Sequence, residues 1–422
     1  MINDPRNIPM SEYEYSLPED KIRKRPLKMR ESAKLLIYDN GEIKETVFSR
    51  FFDILPRQSM IALNATKVIN ARIFFRKDSG AKIEIMCLKP IHPSEYESIL
   101  KQNKKCVWEC FVGNLAKWKE GPLVNSILIK GKSTSLTARI LKTEGDVHII
   151  EFTWDNEAYT FARILEIFGS IPIPPYLNRK ADSDDLDFYQ TTYAAIPGSV
   201  ASPTAGLHFN RSTITQLAKR DILHAYLVLH VGAGTFKPVT SNTIGGHEMH
   251  GERFFINDIY IDTFWRCIGR IIAVGTTTAR AIESIYYLGV LISQNPDIML
   301  DELIIDQWMP YNPANNELPV KEALQNVVAY MKKNQMKVIA ATTHILIVPG
   351  YKFKLVSGLF TNFHQPQSTL LLMVDAFVEG NWKRIYDYAL DHDFRFLSYG
   401  DGSLLLNNSI ATSPEDYALM WV

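Results

Sequence analysis

Residues 270–289, RIIAVGTTTARAIESIYYLG, contain one complete strand–turn–helix unit. Four consecutive apolar residues, Ile271 to Val274, are what a strand buried on both faces requires. Gly275 and three threonines break that run, and ARAIESIYYLG then resumes at helical spacing. The alternation continues downstream. PVKEALQNVVAYMKKN reads as a helix with proline in its first turn and lysines at its end, and VIAATTHILIVPG, LVSGLFTNF and STLLLMVDAFVEG continue the series. Such alternation predicts an α/β domain with a largely parallel sheet or barrel, whose sites gather at strand carboxyl ends.

Working back toward the N-terminus, AYLVLHVG reads as a strand, STITQLAKRD as a helix, and FARILEIF as a helix stopped by Gly169. Earlier still the chemistry changes. MIALN, ARIFFRK, KIEIMCLK, CVWECFVG, SILIKG, LTARILKT and DVHIIEFTW are short strand-like runs separated by turn-rich pieces such as KDSGAK and KTEGD, without helical periodicity. The expected architecture is therefore α/β. A larger α/β barrel-like domain (residues 1–60 and 155–422) is interrupted by an inserted small antiparallel β-barrel domain at residues 61–154.

At 422 residues the chain can bury more than one core, and 46% apolar with 22% charged residues is the balance of a globular protein. No segment reaches the roughly 18–20 apolar residues of a membrane span. The N-terminal stretch lacks the order of a signal peptide, so a cytosolic protein without membrane association is expected. Lysine plus arginine and aspartate plus glutamate both total 46, which argues against a non-specific nucleic-acid binder. Local basic patches remain at residues 21–30 and 101–105. Cys87, Cys106, Cys110 and Cys267 read as buried thiols, since no second Cys or His pair completes a zinc site.

Polar chemistry is concentrated between residues 198 and 252, in GSVASPTAGLHF, LHVGAGTF and HEMHGE. LHVGAGTF lacks both the GxGxxG and the GxxxxGK[ST] spacing, yet Gly232, Gly234 and Thr235 after a strand can bring amides close to a polar ligand. HEMH departs from HExxH, which makes proton transfer or hydrogen bonding by His247 or His250 the better reading than metal binding. Ser202 and Thr204 lack the GxSxG elbow of a hydrolase. Arg280 stands in the first turns of the helix after AVGTTT, where an anionic group is stabilised. Asn362, His364, Tyr399 and Asp401 follow apolar strands beside Pro or Gly turns.

With these blocks assembled, the chain resembles the S-adenosylmethionine:tRNA ribosyltransferase-isomerase family. PIPPYLNR, YQTTYA, GSVASPTAGLHF, LHVGAGTFKPV, HEMHGE, IIAVGTTTARAIES, PGYKFKLVSGLFTNFH, STLLLMVDAF and FRFLSYGD follow one another in the family's order, and YSLPEDKI, NATKVINAR and GAKIEI extend the match toward the N-terminus. The resemblance implies transfer and isomerisation of the ribosyl part of S-adenosylmethionine onto the aminomethyl-7-deazaguanine base of a tRNA, with release of adenine and methionine. It implies S-adenosylmethionine as co-substrate, a queuosine-precursor tRNA as partner and no metal; the sequence leaves the oligomeric state open, with a monomer favoured. His208, His230 and His250 are then candidates for proton transfer, with Glu252 as orienting partner or alternative base. Gly206, Gly232, Gly234 and Thr235 are candidates for cradling the ribose, and Thr276, Thr277 and Arg280 for taking the methionine carboxylate. Arg72, Pro203, Thr204, Asn362, His364, Tyr399 and Asp401 complete the expected binding residues.

The chain departs from the family pattern at Lys34, Ala65, Lys67 and Asn70, and an additional stretch is expected at residues 286–341. Lysine cannot replace the fork of an arginine at a bidentate anion contact. A second reading follows from these departures, namely a relative that binds an adenosyl or nucleoside ligand, or a protein partner, without the tRNA chemistry.

Overall fold

Met60–Asn64 (β3) is fully buried along its whole length and lies at the centre of a ten-stranded sheet. The computed structural model describes residues 4–55, 57–77, 79–232 and 239–407. Before β3 come the hairpin strands β1 (Lys34–Asp39) and β2 (Glu42–Val47), and after it β4 (Thr66–Val68). Seven strands follow: β5 (Arg72–Arg76), β6 (Lys82–His92), β7 (Lys105–Gly113), β8 (Leu123–Ile129), β9 (Lys132–Glu144), β10 (Val147–Trp154) and the two-residue β11 (Gly169–Ser170). The rest are β12 (Ile196–Ser199), β13 (Leu223–Leu229), β14 (Glu252–Asn257), β15 (Ile271–Val274), β16 (Ile304–Ile305), β17 (Val338–Thr343), β18 (Val356–Asn362) and β19 (Gly402–Leu406). The α-helices are α1 (Tyr96–Leu100), α2 (Phe161–Phe168), α3 (Asp185–Phe188), α4 (Arg211–Lys219), α5 (Asp258–Arg266), α6 (Thr276–Gln294), α7 (Val320–Lys333), α8 (Thr369–Phe377) and α9 (Trp382–Asp391).

The large sheet runs β16-β17-β14-β13-β3-β15-β18-β19-β1-β2. Its middle, β13-β3-β15-β18, is parallel, and β3, β15 and β18 are buried at every position. The flanks are mixed, so that five of the nine pairings are parallel and four antiparallel. The sheet is therefore mixed rather than largely parallel. Among the described residues β16 and β2 end it without pairing to each other, so the expected barrel-like closure is absent from the pairings.

The seven-stranded sheet, β11-β5-β6-β7-β10-β9-β8, is antiparallel throughout, as its alternation implied. It curls until Asn125 on β8 donates from Nδ2 to the carbonyl of Phe74 on β5 at 3.0 Å. Thr160 caps α2, and Phe161, Ile164, Leu165 and Phe168 pack into the core of this sheet. Residue 61 falls inside a strand of the large sheet, and the small sheet extends beyond 154 to β11. A period of two identifies a strand but does not say which sheet will take it. The stretch 286–341 is likewise woven into the main fold. α6 runs through its start, α7 packs on α6, and β16 and β17 complete one sheet edge. All four cysteines are buried thiols, and among the described residues no helix is long and apolar enough to cross a membrane.

α6 is the central helix. Sixteen of its nineteen residues are buried, so it is enclosed on all sides rather than lying on a surface. α7 crosses it so closely that a Cβ on Gly289 would stand 2.1 Å from the Ala323 carbonyl oxygen. Gly275, at φ +93°, makes the turn from β15 into α6 that a side chain would strain. Halfway along α6 the Glu283 carboxylate is fully buried. It accepts hydrogen bonds from the Tyr351 hydroxyl (2.6 Å) and the amides of Lys354 (2.8 Å), Leu355 (2.9 Å) and Val356 (2.8 Å). These bonds tie the helix to the start of β18. Removing the carboxylate leaves three buried N–H groups without an acceptor, at about 1–3 kcal/mol each. Glu283→Ala is therefore expected to lose at least about 3 kcal/mol in urea unfolding, and Tyr351→Phe, which removes one donor, about 1 kcal/mol.

Candidate functional site

Three parallel strands deliver their carboxyl ends to one place. β13 leads to Val231 and Gly232, β15 to Gly275, Thr276 and Thr277, and β18 to Asn362 and His364. Between these ends lie two adjoining cavities that share Thr277 and Leu370. The smaller, about 90 Å³, is lined by Ser202, Pro203, Thr204, Thr276, Thr277, Asn362 and His364, with Tyr176 and Tyr189 beside them. The larger, about 430 Å³, is lined by Gly232, His247, His250, Glu252, Thr277 and Arg280. The structure thus brings together the candidates Pro203, Thr204, Gly232, His250, Glu252, Thr276, Thr277, Arg280, Asn362 and His364.

Electrostatics in the larger cavity centre on Arg280. Its Nη1 meets Glu252 Oε2 at 2.6 Å, and both side chains are more than nine-tenths buried. The other oxygen of Glu252 accepts the Gly232 amide at 3.3 Å. Nε and Nη2 of Arg280 have no hydrogen-bond partner among the described residues. The pairing with Glu252 occupies one side of the guanidinium and leaves open the Nε–Nη2 edge, the edge that binds a carboxylate through two parallel bonds. No capping side chain covers the first turn of α6, so the helix start adds a partial positive charge nearby.

The smaller cavity holds further unpartnered groups: Ser202 Oγ, Thr277 Oγ1 and Asn362 Nδ2, all on residues more than nine-tenths buried. Each orphan of this kind costs about 1–3 kcal/mol, and such groups belong where something else completes them. His364 is fixed through Nε2 to Thr361 Oγ1 at 2.7 Å, and its carbonyl accepts the Tyr15 hydroxyl. Burial pushes its pKa down to about 3, so the ring is neutral.

Other candidates lie elsewhere. The Nδ1 of His208 faces the Arg30 carbonyl at 3.2 Å and its ring packs on Phe48, and burial lowers its pKa. His230 binds Thr66 Oγ1 through Nδ1 at 2.9 Å and lines a separate apolar groove of about 840 Å³ with Tyr96, Tyr226 and Phe255. Burial, then the charge of Arg253, pulls its pKa down to about 4. Arg72 pairs with Glu84 at 2.8 Å on the small sheet. Gly206 packs where a Cβ would stand 2.0 Å from the Tyr193 hydroxyl, which accounts for the glycine by contact with protein. Tyr399 donates to Asp185, and Asp401 accepts the amides of Lys34 and Arg395. Gly234 and Thr235 lie outside the described residues.

Tyr176, Tyr189 and Ser398 carry no individual signal in the sequence, although the first two sit in PIPPYLNR and YQTTYA. Their hydroxyls follow no period. The basic runs are largely engaged within the protein. Lys21 pairs with Asp393, Arg25 with Asp182, Lys101 with Glu97 and Lys104 with Glu157. Among the four departures, Lys67 is exposed on β4, Ala65 is buried, and Lys34 donates to the His392 carbonyl. Neither these three nor Asn70 lines either cavity. Among the described residues no group of three or more His, Cys, Asp or Glu is placed to hold a metal ion.

A family model described as queuosine biosynthesis protein matches residues 10–405. The S-adenosylmethionine:tRNA ribosyltransferase-isomerase of Halothermothrix orenii is 33% identical over 404 residues, covering 94% of this chain and 99% of that protein. The protein of the same name from Fusobacterium nucleatum is 34% identical over 404 residues, covering 94% and 96%. Among solved structures, an S-adenosylmethionine tRNA ribosyltransferase from Thermotoga maritima aligns at 24% identity with a TM-score of 0.44, covering 94% of this chain and 100% of that one.

The depressed imidazoles set a pH dependence. His230 and His364 have folded-state pKa values of about 4 and about 3, below the ordinary 6.5, so acid protonates the unfolded chain first. Their contribution to stability is complete above pH 6.5 and declines as pH falls from there toward the folded values, by roughly 1.4 kcal/mol for each tenfold rise in proton concentration and each histidine. Imidazole resonances of His230 and His364, assigned by substitution, should stay in the neutral position from pH 8 down to about 5.

Proposed function

The chain is a member of the queuosine biosynthesis protein family. From that membership we propose that it transfers and isomerises the ribosyl moiety of S-adenosylmethionine onto an aminomethyl-7-deazaguanine base in tRNA, giving epoxyqueuosine-tRNA and releasing adenine and methionine. The observation that carries this reading is the likeness, along almost the whole chain, to relatives named for that activity. The paired cavities fit the donor's chemistry, with an open guanidinium edge for a carboxylate in one and neutral hydrogen-bonding groups in the other.

In this reading Arg280, with the uncapped backbone amides of Thr276 and Thr277 at the start of α6, takes the methionine carboxylate. Glu252 is committed to Arg280 and the Gly232 amide, so it orients the arginine rather than acting as a base. The sulfonium acidifies the C5′ protons, and a modest base suffices to remove one. His250 is exposed at the mouth of the same cavity and can exchange the proton with solvent. Pro203, Thr204, Asn362 and His364 shape the neutral compartment. Neutral His364 provides polarity there without adding a charge beside the sulfonium. The curled sheet of residues 72–170 is, in this reading, an inserted barrel-like module carried by the α/β domain. Arg72, Gly206, His208, His230, Tyr399 and Asp401 support the fold around the site.

Incubation with S-adenosylmethionine and tRNA bearing the aminomethyl base should release adenine and methionine in equal amounts. Tight S-adenosylmethionine binding without release would instead support the ligand-binding relative. Arg280→Lys should raise KM for S-adenosylmethionine about 100-fold with a smaller change in kcat, since a point charge replaces a fork. His250→Ala should lower kcat by about 10²–10⁴-fold, while His208→Gln should leave it close to wild type.

A further inference from the structure

The small cavity beside α6 has a composition that says what it receives. Among the described residues no Asp, Glu, Lys or Arg lines it. Its unpartnered groups are three hydroxyls and one amide, Tyr189 Oη, Ser202 Oγ, Thr277 Oγ1 and Asn362 Nδ2. Tyr189, Ser202, Thr277 and Asn362 are 0%, 6%, 8% and 3% exposed, so bulk water does not complete them. A lining of this kind suits a ligand rich in hydroxyls, because the lining hydroxyls can both donate and accept while the amide donates.

The amide is held in one orientation. Thr204 Oγ1 donates to Asn362 Oδ1 at 2.9 Å, which uses the amide oxygen and turns the NH₂ group into the cavity. The cavity therefore presents one fixed donor and three hydroxyls that can each donate or accept. A vicinal diol needs that combination, since each of its oxygens both gives and takes a hydrogen bond. The space, about 90 Å³, can take the hydroxyl-bearing edge of a sugar. Thr277 joins it to the cavity of Arg280, so a ligand can place a carboxylate in one and a diol in the other.

We infer that Ser202, Thr277 and Asn362 form a hydroxyl subsite that seats the vicinal ribose diol of the donor, with Thr204 as the positioning residue for the Asn362 amide. The inference rests on the ribosyl-transfer reading and assigns the sugar to these side chains rather than to the glycine segments. It makes donor selectivity a property of the cavity. A site built to bond a hydroxyl rejects an analogue lacking it because its own polar groups then stay unpaired.

The test compares S-adenosylmethionine with its 2′-deoxy and 3′-deoxy analogues in wild type, Ser202→Ala and Thr277→Val, which preserve shape, and in Thr204→Val. Wild type should prefer the full diol by about 100-fold or more in kcat/KM for at least one analogue. In Ser202→Ala and Thr277→Val that preference should shrink to about tenfold or less, mainly through slower use of the natural donor. Thr204→Val should shrink it in the same direction by releasing the amide. Melting temperatures should be unchanged or higher, because an orphaned hydroxyl is being removed. A lowered melting temperature with wild-type selectivity would mean a packing role and would overturn the inference. So would unchanged selectivity in stable variants, which would leave the cavity to water. Should wild type release no adenine at all, the ribosyl-transfer reading fails separately. Calorimetric binding of adenosine against 2′-deoxyadenosine and 3′-deoxyadenosine to the same variants then decides the subsite, with an equal affinity of wild type for all three ligands counting against it.

Discussion

The Glu283 carboxylate, buried in the middle of the molecule, is the constraint around which the rest is arranged. A charge with no access to water survives only where donors replace its hydration, and here one hydroxyl and three successive amides do so. Burial raises its pKa while the four donors favour the ionised form. The bonds run from α6 to the segment entering β18, so they set the position of that strand along the helix. Asn362, at the far end of β18, and Thr277, at the near end of α6, are thereby held facing one cavity. A slip of either element would separate them.

One turn earlier on the same helix, Arg280 meets Glu252 in a second buried pair, with a different character. Glu283 is satisfied by backbone and tyrosine on all sides, whereas Arg280 keeps two N–H groups unpaired. An ion pair selected for stability alone would use them, since an orphaned donor in a dry site is costly. The contrast along a single helix separates its roles. The middle is a clamp with complete hydrogen bonding, and the first two turns are left incomplete beside the cavities.

Much of this is legible in the sequence, and the exceptions have physical causes. β15 and the start of α6 are readable because a doubly buried strand must be apolar throughout and the turn after it must be polar. The small antiparallel sheet is readable from alternation, but MIALN groups with it on that ground because strand periodicity carries no information about partners. The histidines are harder. Leu229 leaves the sheet, and the next three residues, His230, Val231 and Gly232, line three different cavities. Nearness in sequence therefore does not translate into a shared site. Ser202 is visible only as a residue without a nucleophile elbow, and Tyr189 has no signal beyond its block. What distinguishes Ser202 is an unmade hydrogen bond, which no composition or spacing encodes.

The departures from the family pattern are explained by the same geometry. Asn64 closes the end of β3 against β13, donating to the Leu229 carbonyl and accepting the Leu229 and Thr66 amides. Thr66 in turn holds His230. Both residues that make these bonds are retained, while the changed positions between and after them have either a buried methyl, at Ala65, or an exposed head group, at Lys67. A backbone-directed motif tolerates such changes, because its hydrogen bonds come from Asn64, Thr66 and the main chain. Where side chains converge on the two cavities the orientation is set by other side chains instead, Glu252 fixing Arg280 and Thr204 fixing Asn362.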